Sequence, residues 1–389
     1  FKEGGMRSAE AGGSYLGITQ YMAASEKPPA LKAIFPNVAA LDMYDVLYPG
    51  GVFRRDMIQH WGELTRNLDI NWPGPKVATD IEGTMLEDAI KEHQDNWEVV
   101  KEYGASPFRD YEAPTLAWAK HGPSGVLDRI QAAKVPSYHW NGWFDIFVLD
   151  ATLMYANYQG PQRLTIGAWS HANMPDSLLL AERGRLLAVE QHRWFDYWLK
   201  GIDNGVINEP PIQIAVMNDP GSWTWRSATA WPLPEARSTD FYFAAGASPG
   251  TLSTTAPTER NAADRYKVDP TTTTGDKSRW DNAVGAAPVM IYPEMAANDA
   301  KSLTYTTGRL DKDVVVIGHP VVTLWLTSST NDANLHVLLE EVDSTGQSRY
   351  VTEGVLKASH RKTGPAPWNN LGLPFQTGLQ KDVEPLPSG

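Results

Sequence analysis

Three segments of this chain carry residue types that could cooperate in nucleophilic catalysis. The first is Gly12-Gly13-Ser14-Tyr15-Leu16-Gly17, which sets a serine among small residues, directly ahead of the helix-forming stretch 16–24. A nucleophile on a sharp strand-to-helix turn needs glycines around it, because larger side chains would collide with the strained backbone. The helix that follows would aim its N-terminal amides at the same spot, where an oxyanion could develop. The hexapeptide departs from G-x-S-x-G in placing Leu16 where the last glycine belongs and Gly17 one residue late. By itself the pattern is weak and reads sooner as an ordinary Gly-Ser turn.

An elbow serine requires an acid and then a histidine, both at the carboxyl ends of later strands of the same sheet. The strand signal at 135–140 is followed by Gly142-Trp143-Phe144-Asp145, and the one at 163–166 by Gly167-Ala168-Trp169-Ser170-His171. Asp145 lies 131 positions after Ser14 and His171 another 26 positions on. The first gap leaves room for an insertion and the second for one crossover helix. Order, context and spacing agree for all three residues, although Asp150 is a competing carboxylate and any one of the three alone could be a loop residue.

The elements that must position these groups are readable as texture. Residues 16–24 predict a helix and 31–35 a buried strand, whereas 1–11 are an irregular mix of Gly, Glu and Arg. Runs 52–68 and 84–103 predict helices of an insertion that covers 43–129. Strands at 135–140 and 163–166, with helical composition at 148–158 between them, predict βαβ units and a parallel sheet. The stretch 177–200 reads as a long amphipathic helix with Leu187, Trp194 and Trp198 on one face and Gly201 as its stop. Beyond Trp231-Pro232, short alternating runs at 241–244, 314–317, 321–326, 335–342 and 350–356 predict a β-sandwich or jelly roll, with 256–287 as a long polar loop. The expected division is an α/β domain of 1–42 with 130–232, a helical cap of 43–129, and an all-β domain of 233–389.

Composition narrows the function. With 34 Lys and Arg against 46 Asp and Glu, the formal charge is −12, so a polyanion such as nucleic acid would be repelled. No apolar run approaches the ~20 residues of a membrane span. The chain has no cysteine, which removes disulfides, thiolate zinc sites and cysteine nucleophiles and leaves the compartment open. Its 15 Trp, 15 Tyr, 32 Gly and 28 Pro suit turn-rich β structure. There is no H-E-x-x-H, P-loop, dinucleotide fingerprint or calcium loop, so neither metal nor cofactor is expected. His93-Gln94-Asp95-Asn96 reads as a solvated helix face.

The three blocks around Ser14, Asp145 and His171 resemble the triad blocks of the cocaine esterase and X-Pro dipeptidyl peptidase superfamily of serine hydrolases. Pro107-Phe108-Arg109-Asp110, Trp225-Arg226, Trp231-Pro232 and Thr352-Glu353-Gly354-Val355-Leu356 are similar to further landmarks of that group. The resemblance implies an α/β-hydrolase domain, a helical cap and a C-terminal jelly roll, acting on a small-molecule ester or amide. It assigns Ser14 as nucleophile, His171 as base, Asp145 as orienting acid and the Tyr15 amide as one oxyanion donor. The family's second donor is a tyrosine hydroxyl ahead of the nucleophile. Only thirteen residues precede Ser14 here, and they are poor strand formers. The expectation is therefore that early strands and the natural N-terminus lie upstream, that the sandwich is incomplete, and that the sheet has an unpaired edge near the elbow.

Asp145 is followed by Ile146, Phe147, Val148 and Leu149, whereas the α-amino acid ester hydrolases of the group carry acidic residues there that bind the substrate ammonium. An apolar acyl group is therefore favoured. Phe147 resembles the acyl-pocket aromatic of the cocaine esterase branch and Trp61 its cap aromatic, although both could be plain core residues. The rivals are an X-Pro dipeptidyl peptidase and, from another class, a non-catalytic aromatic-rich β module.

Overall fold

The computed structural model describes residues 7–114, 116–171, 177–218, 222–244, 249–259, 262–287 and 289–387, with the backbone alone for 177–181. Its first element corrects the sequence reading. Ser8–Gly13 is a strand, β1, although SAEAGG contains no β-branched or aromatic residue. Propensity is overridden by pairing: β1 runs parallel to β2 (Leu31–Asn37), and its residues from Ala9 to Gly13 match Ala33 to Asn37 in register. Between them lies helix α1 (Tyr15–Ser25), as expected.

An insertion follows, with α2 (Met43–Leu47), α3 (Arg55–Arg66), α4 (Thr84–His93), α5 (Val99–Gly104) and the two-residue strands β3 (Glu112–Ala113) and β4 (Leu116–Ala117). The helix expected over 84–103 is broken between α4 and α5, where Glu98 caps the second piece by accepting from the Lys101 amide at 3.0 Å. Helix α6 (Leu127–Ala133) returns to the sheet, and β5 (Ser137–Phe144), α7 (Val148–Asn157), β6 (Gln162–Ser170), α8 (Ser177–Phe195), β7 (Ile212–Met217) and β8 (Trp223–Ala228) complete the first half. The sheet order is β1-β2-β5-β6-β7-β8, with every neighbouring pair parallel except β7 and β8. Among the described residues β1 is thus an edge strand.

Alternation along the strands feeds two cores. Ile34 joins Tyr21 of α1, Ile130 of α6 and Met154 of α7 on one face. On the other face, Phe35, Tyr138, Trp140 and Trp169 meet Trp194 of α8, with Leu187 and Trp198 packed alongside. The amphipathic stripe read from the sequence therefore does dock on the sheet, and Gly201 ends it at φ 71°.

The C-terminal part holds β9 (Tyr242–Ala244), β10 (Gly250–Ser253), α9 (Arg279–Ala283), α10 (Ala296–Asp299), β11 (Tyr305–Thr306), β12 (Asn334–Val342) and β13 (Ser348–Lys357). Strands β9, β10 and β11 form one small sheet, and β12 and β13 an antiparallel hairpin. Two expectations fail here. The runs 314–317 and 321–326 are not strands: no ladder forms on them among the described residues, and Val316 and Trp325 are 76% and 92% exposed. Alternation makes a strand only where a neighbouring edge accepts it. The polar stretch 256–287 is not all loop, because Ser278 and Asp281 form a reciprocal capping box that starts α9.

The two parts are in contact. The turn Pro49–Gly51 of the insertion abuts β13 so closely that a Cβ on Gly50, which has φ 56°, would lie 2.2 Å from the Val355 carbonyl oxygen. Asp150 accepts the Leu41 and Asp42 amides at 2.7 and 3.0 Å, tying α7 to the start of the insertion.

One buried group sets a pH dependence. His139 lies inside the sheet, its Nδ1 2.6 Å from the Tyr21 hydroxyl, and burial lowers its pKa from 6.5 to about 3. A depressed folded-state value means stability that is full above pH 6.5 and lost as the pH falls toward 3. Between pH 7 and pH 5 this group alone should cost about 2 kcal/mol. Denaturant titrations at the two pH values should show that loss in the wild type and a flatter dependence in His139→Gln; equal slopes for both proteins would contradict the assignment.

Candidate active site

Ser14 joins β1 to α1 at φ 59° and ψ −126°, outside the left-handed helical well and in a region that L-residues rarely occupy. Both sides of the serine are pinned. Its amide donates to the Asn37 and Val38 carbonyls at 2.9 and 3.1 Å, and its carbonyl accepts from the Gly17 and Ile18 amides at 2.8 and 3.0 Å. Small neighbours are obligatory. A Cβ on Gly12 would meet the Leu16 Cβ at 2.7 Å, and one on Gly17 would meet the Ala39 Cβ at 2.8 Å. Gly17, one residue late for G-x-S-x-G, is thus where α1 crosses the end of β2. Tyr15 opens α1, so its amide is one of those a helix leaves without an internal acceptor.

Asp145 follows β5 and is fully buried. Its Oδ1 accepts the Phe147 amide at 2.7 Å, and its Oδ2 accepts from His171 Nδ1 at 2.6 Å. With that proton on Nδ1, the lone pair of His171 is on Nε2, the arrangement a general base needs. The edge of the imidazole meets the Phe147 ring at 5.5 Å and 74°. Because β1, β5 and β6 are parallel, Ser14, Asp145 and His171 all leave the same edge of the sheet.

Two supports escaped the sequence reading. Asn141 accepts the Gly142 amide at 2.7 Å and donates to the Phe147 carbonyl at 3.0 Å, stapling the Asp145 loop from inside. Arg183 of α8 donates to the His171 carbonyl at 3.1 Å. An asparagine in a strand interior was a readable signal, since such a side chain must find partners when buried; Arg183 offered none. The competing carboxylate, Asp150, is bonded to backbone amides, and burial raises its pKa to about 7.

The expected pocket residues part company. Phe147 is 5% exposed and belongs to a cluster with Tyr48, Met57, Ile58 and Trp118 of the insertion, against which Ile18 and Ile146 also pack. It therefore touches the imidazole and the core at once. Trp61 is half-buried on α3, whose contributions to that cluster are Met57 and Ile58. No group of three or more potential metal ligands occurs among the described residues. His93 and Asp69 face each other at 3.7 Å on an exposed surface, as a solvated helix face should.

Comparison with known proteins gives two family matches. Residues 7–173 match the family described as X-Pro dipeptidyl-peptidase (S15 family), and residues 204–389 the X-Pro dipeptidyl-peptidase C-terminal non-catalytic domain. A Mycobacterium bovis protein named as a serine esterase is 32% identical over 98% of this chain and 66% of its own length. The cocaine esterase of a Rhodococcus species is 26% identical over 90% of this chain and 65% of its own length. Among solved structures, an aminopeptidase from a marine sediment Thaumarchaeota archaeon superposes with TM-score 0.67 at 18% identity, covering 98% of this chain and 64% of the other. An α-amino acid ester hydrolase does so with TM-score 0.63 at 20% identity and the same coverages. Both share the fold, an α/β-hydrolase domain with a C-terminal β domain. The chain spans about two thirds of the length of these relatives.

A short charge-assisted bond carries a signature. The Nδ1 proton of His171 should give a resolved, far-downfield NMR resonance near neutral pH that vanishes in Asp145→Ala. Its persistence in that variant would place the proton on another pair.

Proposed function

Because the chain belongs to the superfamily of X-Pro dipeptidyl peptidases and cocaine esterase, we propose that it is a serine hydrolase cleaving carboxylic esters, with amides as slower substrates, through Ser14, His171 and Asp145. The observation that carries this reading is the His171–Asp145 bond of 2.6 Å on the sheet edge where Ser14 occupies a strained elbow. His171 Nε2 takes the Ser14 hydroxyl proton as Oγ bonds to the acyl carbon, and Asp145 holds the imidazole in the required tautomer. The Tyr15 amide donates to the resulting oxyanion. Collapse breaks the ester C–O bond, and the imidazolium protonates the leaving alkoxide. Water then gives its proton to His171 and attacks the acyl-serine, and Ser14 recovers the proton as the acid leaves. The working division remains 1–42 with 130–232, 43–129 and 233–389.

The acyl side is read as apolar. Ile146 and Phe147 pack into the cluster shared with the insertion, and the run from Ile146 to Leu149 holds no carboxylate to pair with an ammonium. Trp61 is retained as a second wall of that acyl side. The S15 match favours a second reading, an X-Pro dipeptidyl peptidase; it calls for an anchor for a free amine.

Two kinetic outcomes follow. Ser14→Ala should lower kcat on p-nitrophenyl esters by at least ~10³-fold with the fold intact, as for a residue acting within a catalytic unit; retained turnover would place the nucleophile elsewhere. Methyl phenylacetate should exceed methyl phenylglycinate in kcat/KM by about a hundredfold, since burying an unpaired ammonium costs several kcal/mol and an apolar group gains about 1.5–3 kcal/mol. Phe147→Glu should narrow that gap. A wild-type preference for the amino ester would favour the aminoacyl and dipeptidyl readings.

A further inference from the structure

Glu353 of β13 is a carboxylate only 13% exposed, with partners from two distant parts of the chain. Its Oε1 accepts the indole N–H of Trp280 at 2.6 Å and lies 3.9 Å from the guanidinium of Arg54. Arg54, directly ahead of α3, stacks its guanidinium 4.0 Å above the Trp280 ring. The three side chains close a triangle of anion, cation and ring that joins β13, α9 and the insertion. A charge-assisted bond and a cation–π contact each hold the same indole, from its edge and from its face.

That indole is placed where its rotamer matters. Helix α9 is fixed at its start by the Ser278–Asp281 capping box, and Arg279 donates to the Tyr350 hydroxyl of β13. Trp280 of α9 and Val284 just after it pack against the cluster that contains Met57, Ile58 and Phe147, and Phe147 meets the His171 ring. Nothing in the step sequence above uses Glu353, yet it is the hydrogen-bond acceptor that holds the Trp280 indole N–H.

We propose that Glu353 is a positioning residue for acyl selectivity: by holding Trp280 and Arg54 together it keeps the cluster behind Phe147 closed around the bulky apolar acyl groups of the substrate. This rests on the serine-hydrolase reading. Removing the carboxylate frees the indole and leaves Arg54 without its counter-charge, which loosens the wall while leaving Ser14, His171 and Asp145 in place.

The test compares p-nitrophenyl phenylacetate with p-nitrophenyl acetate on wild type, Glu353→Leu, Glu353→Gln and Trp280→Phe, with the p-nitrophenol burst counting active sites. Glu353→Leu should lose about tenfold in kcat/KM on the phenylacetate through KM, change the acetate by less than about twofold, and keep its burst. Glu353→Gln, whose amide oxygen still accepts the indole N–H, should recover most of the selectivity. Should the leucine variant not fold, Trp280→Phe, lacking the N–H, should give the same selective loss. Equal losses on both esters, unchanged selectivity, or a glutamine variant as impaired as the leucine one would overturn the proposal. A wild type that hydrolyses neither ester would overturn the hydrolase reading and this inference together, whereas an unaltered selectivity in a variant with wild-type turnover of the acetate overturns this inference alone.

Discussion

Ser14 can hold φ 59° only where the strand before it and the helix after it are both locked, and much of the α/β layer provides that lock. An L-residue there carries strain of about 1–3 kcal/mol, offset by the surrounding structure. Here the compensation is specific: two carbonyls of the neighbouring strand end hold the serine amide, and the first turn of α1 holds its carbonyl. The close approach of α1 demands Gly12 on β1 and Gly17 beside the end of β2, and Gly12 with Gly13 in turn weakens β1 as an autonomous strand. Strand β1 therefore exists by virtue of β2, and the elbow by virtue of both.

The same parallel sheet carries the other two groups to the serine's edge, but it does not finish the site. Phe147 is shared between the imidazole and a cluster built mainly from the insertion. The insertion is itself fastened to later residues. Arg109 pairs with Asp42 and, at 2.7 Å, with Asp45, while its side chain and amide reach the Thr377 and Gly378 carbonyls at 3.2 and 2.9 Å. Asp110 accepts the Gln380 amide at 3.0 Å. The Pro107 to Asp110 block is thus a latch between the insertion and the distal part of the chain.

What could be read in advance follows from which interactions are local. Asp145 and His171 were legible because each stands just beyond a strand signal, at 135–140 and 163–166, in the order an elbow serine requires. The helix 177–200 was legible because Leu187, Trp194 and Trp198 recur at helical spacing. Ser8–Gly13 was not, since its extended form comes from pairing with Leu31–Asn37 and from no property of its own residues. At 314–317 and 321–326 the error has the opposite sign: side chains alternate as in a strand, and no edge takes them up. The capping box at Ser278 and Asp281 was present in the letters but hidden in a polar stretch. Partners such as Arg183 for His171 or Glu353 for Trp280 join residues too far apart in sequence for spacing to signal them.

The account depends on Ser14 becoming covalently acylated. Peptide-mapping mass spectrometry after reaction with a fluorophosphonate would identify the modified atom's residue directly. A stoichiometric adduct on Ser14, abolished in Ser14→Ala and slowed in His171→Ala, is the predicted result. An adduct on any other serine, or none in a folded protein, would contradict it.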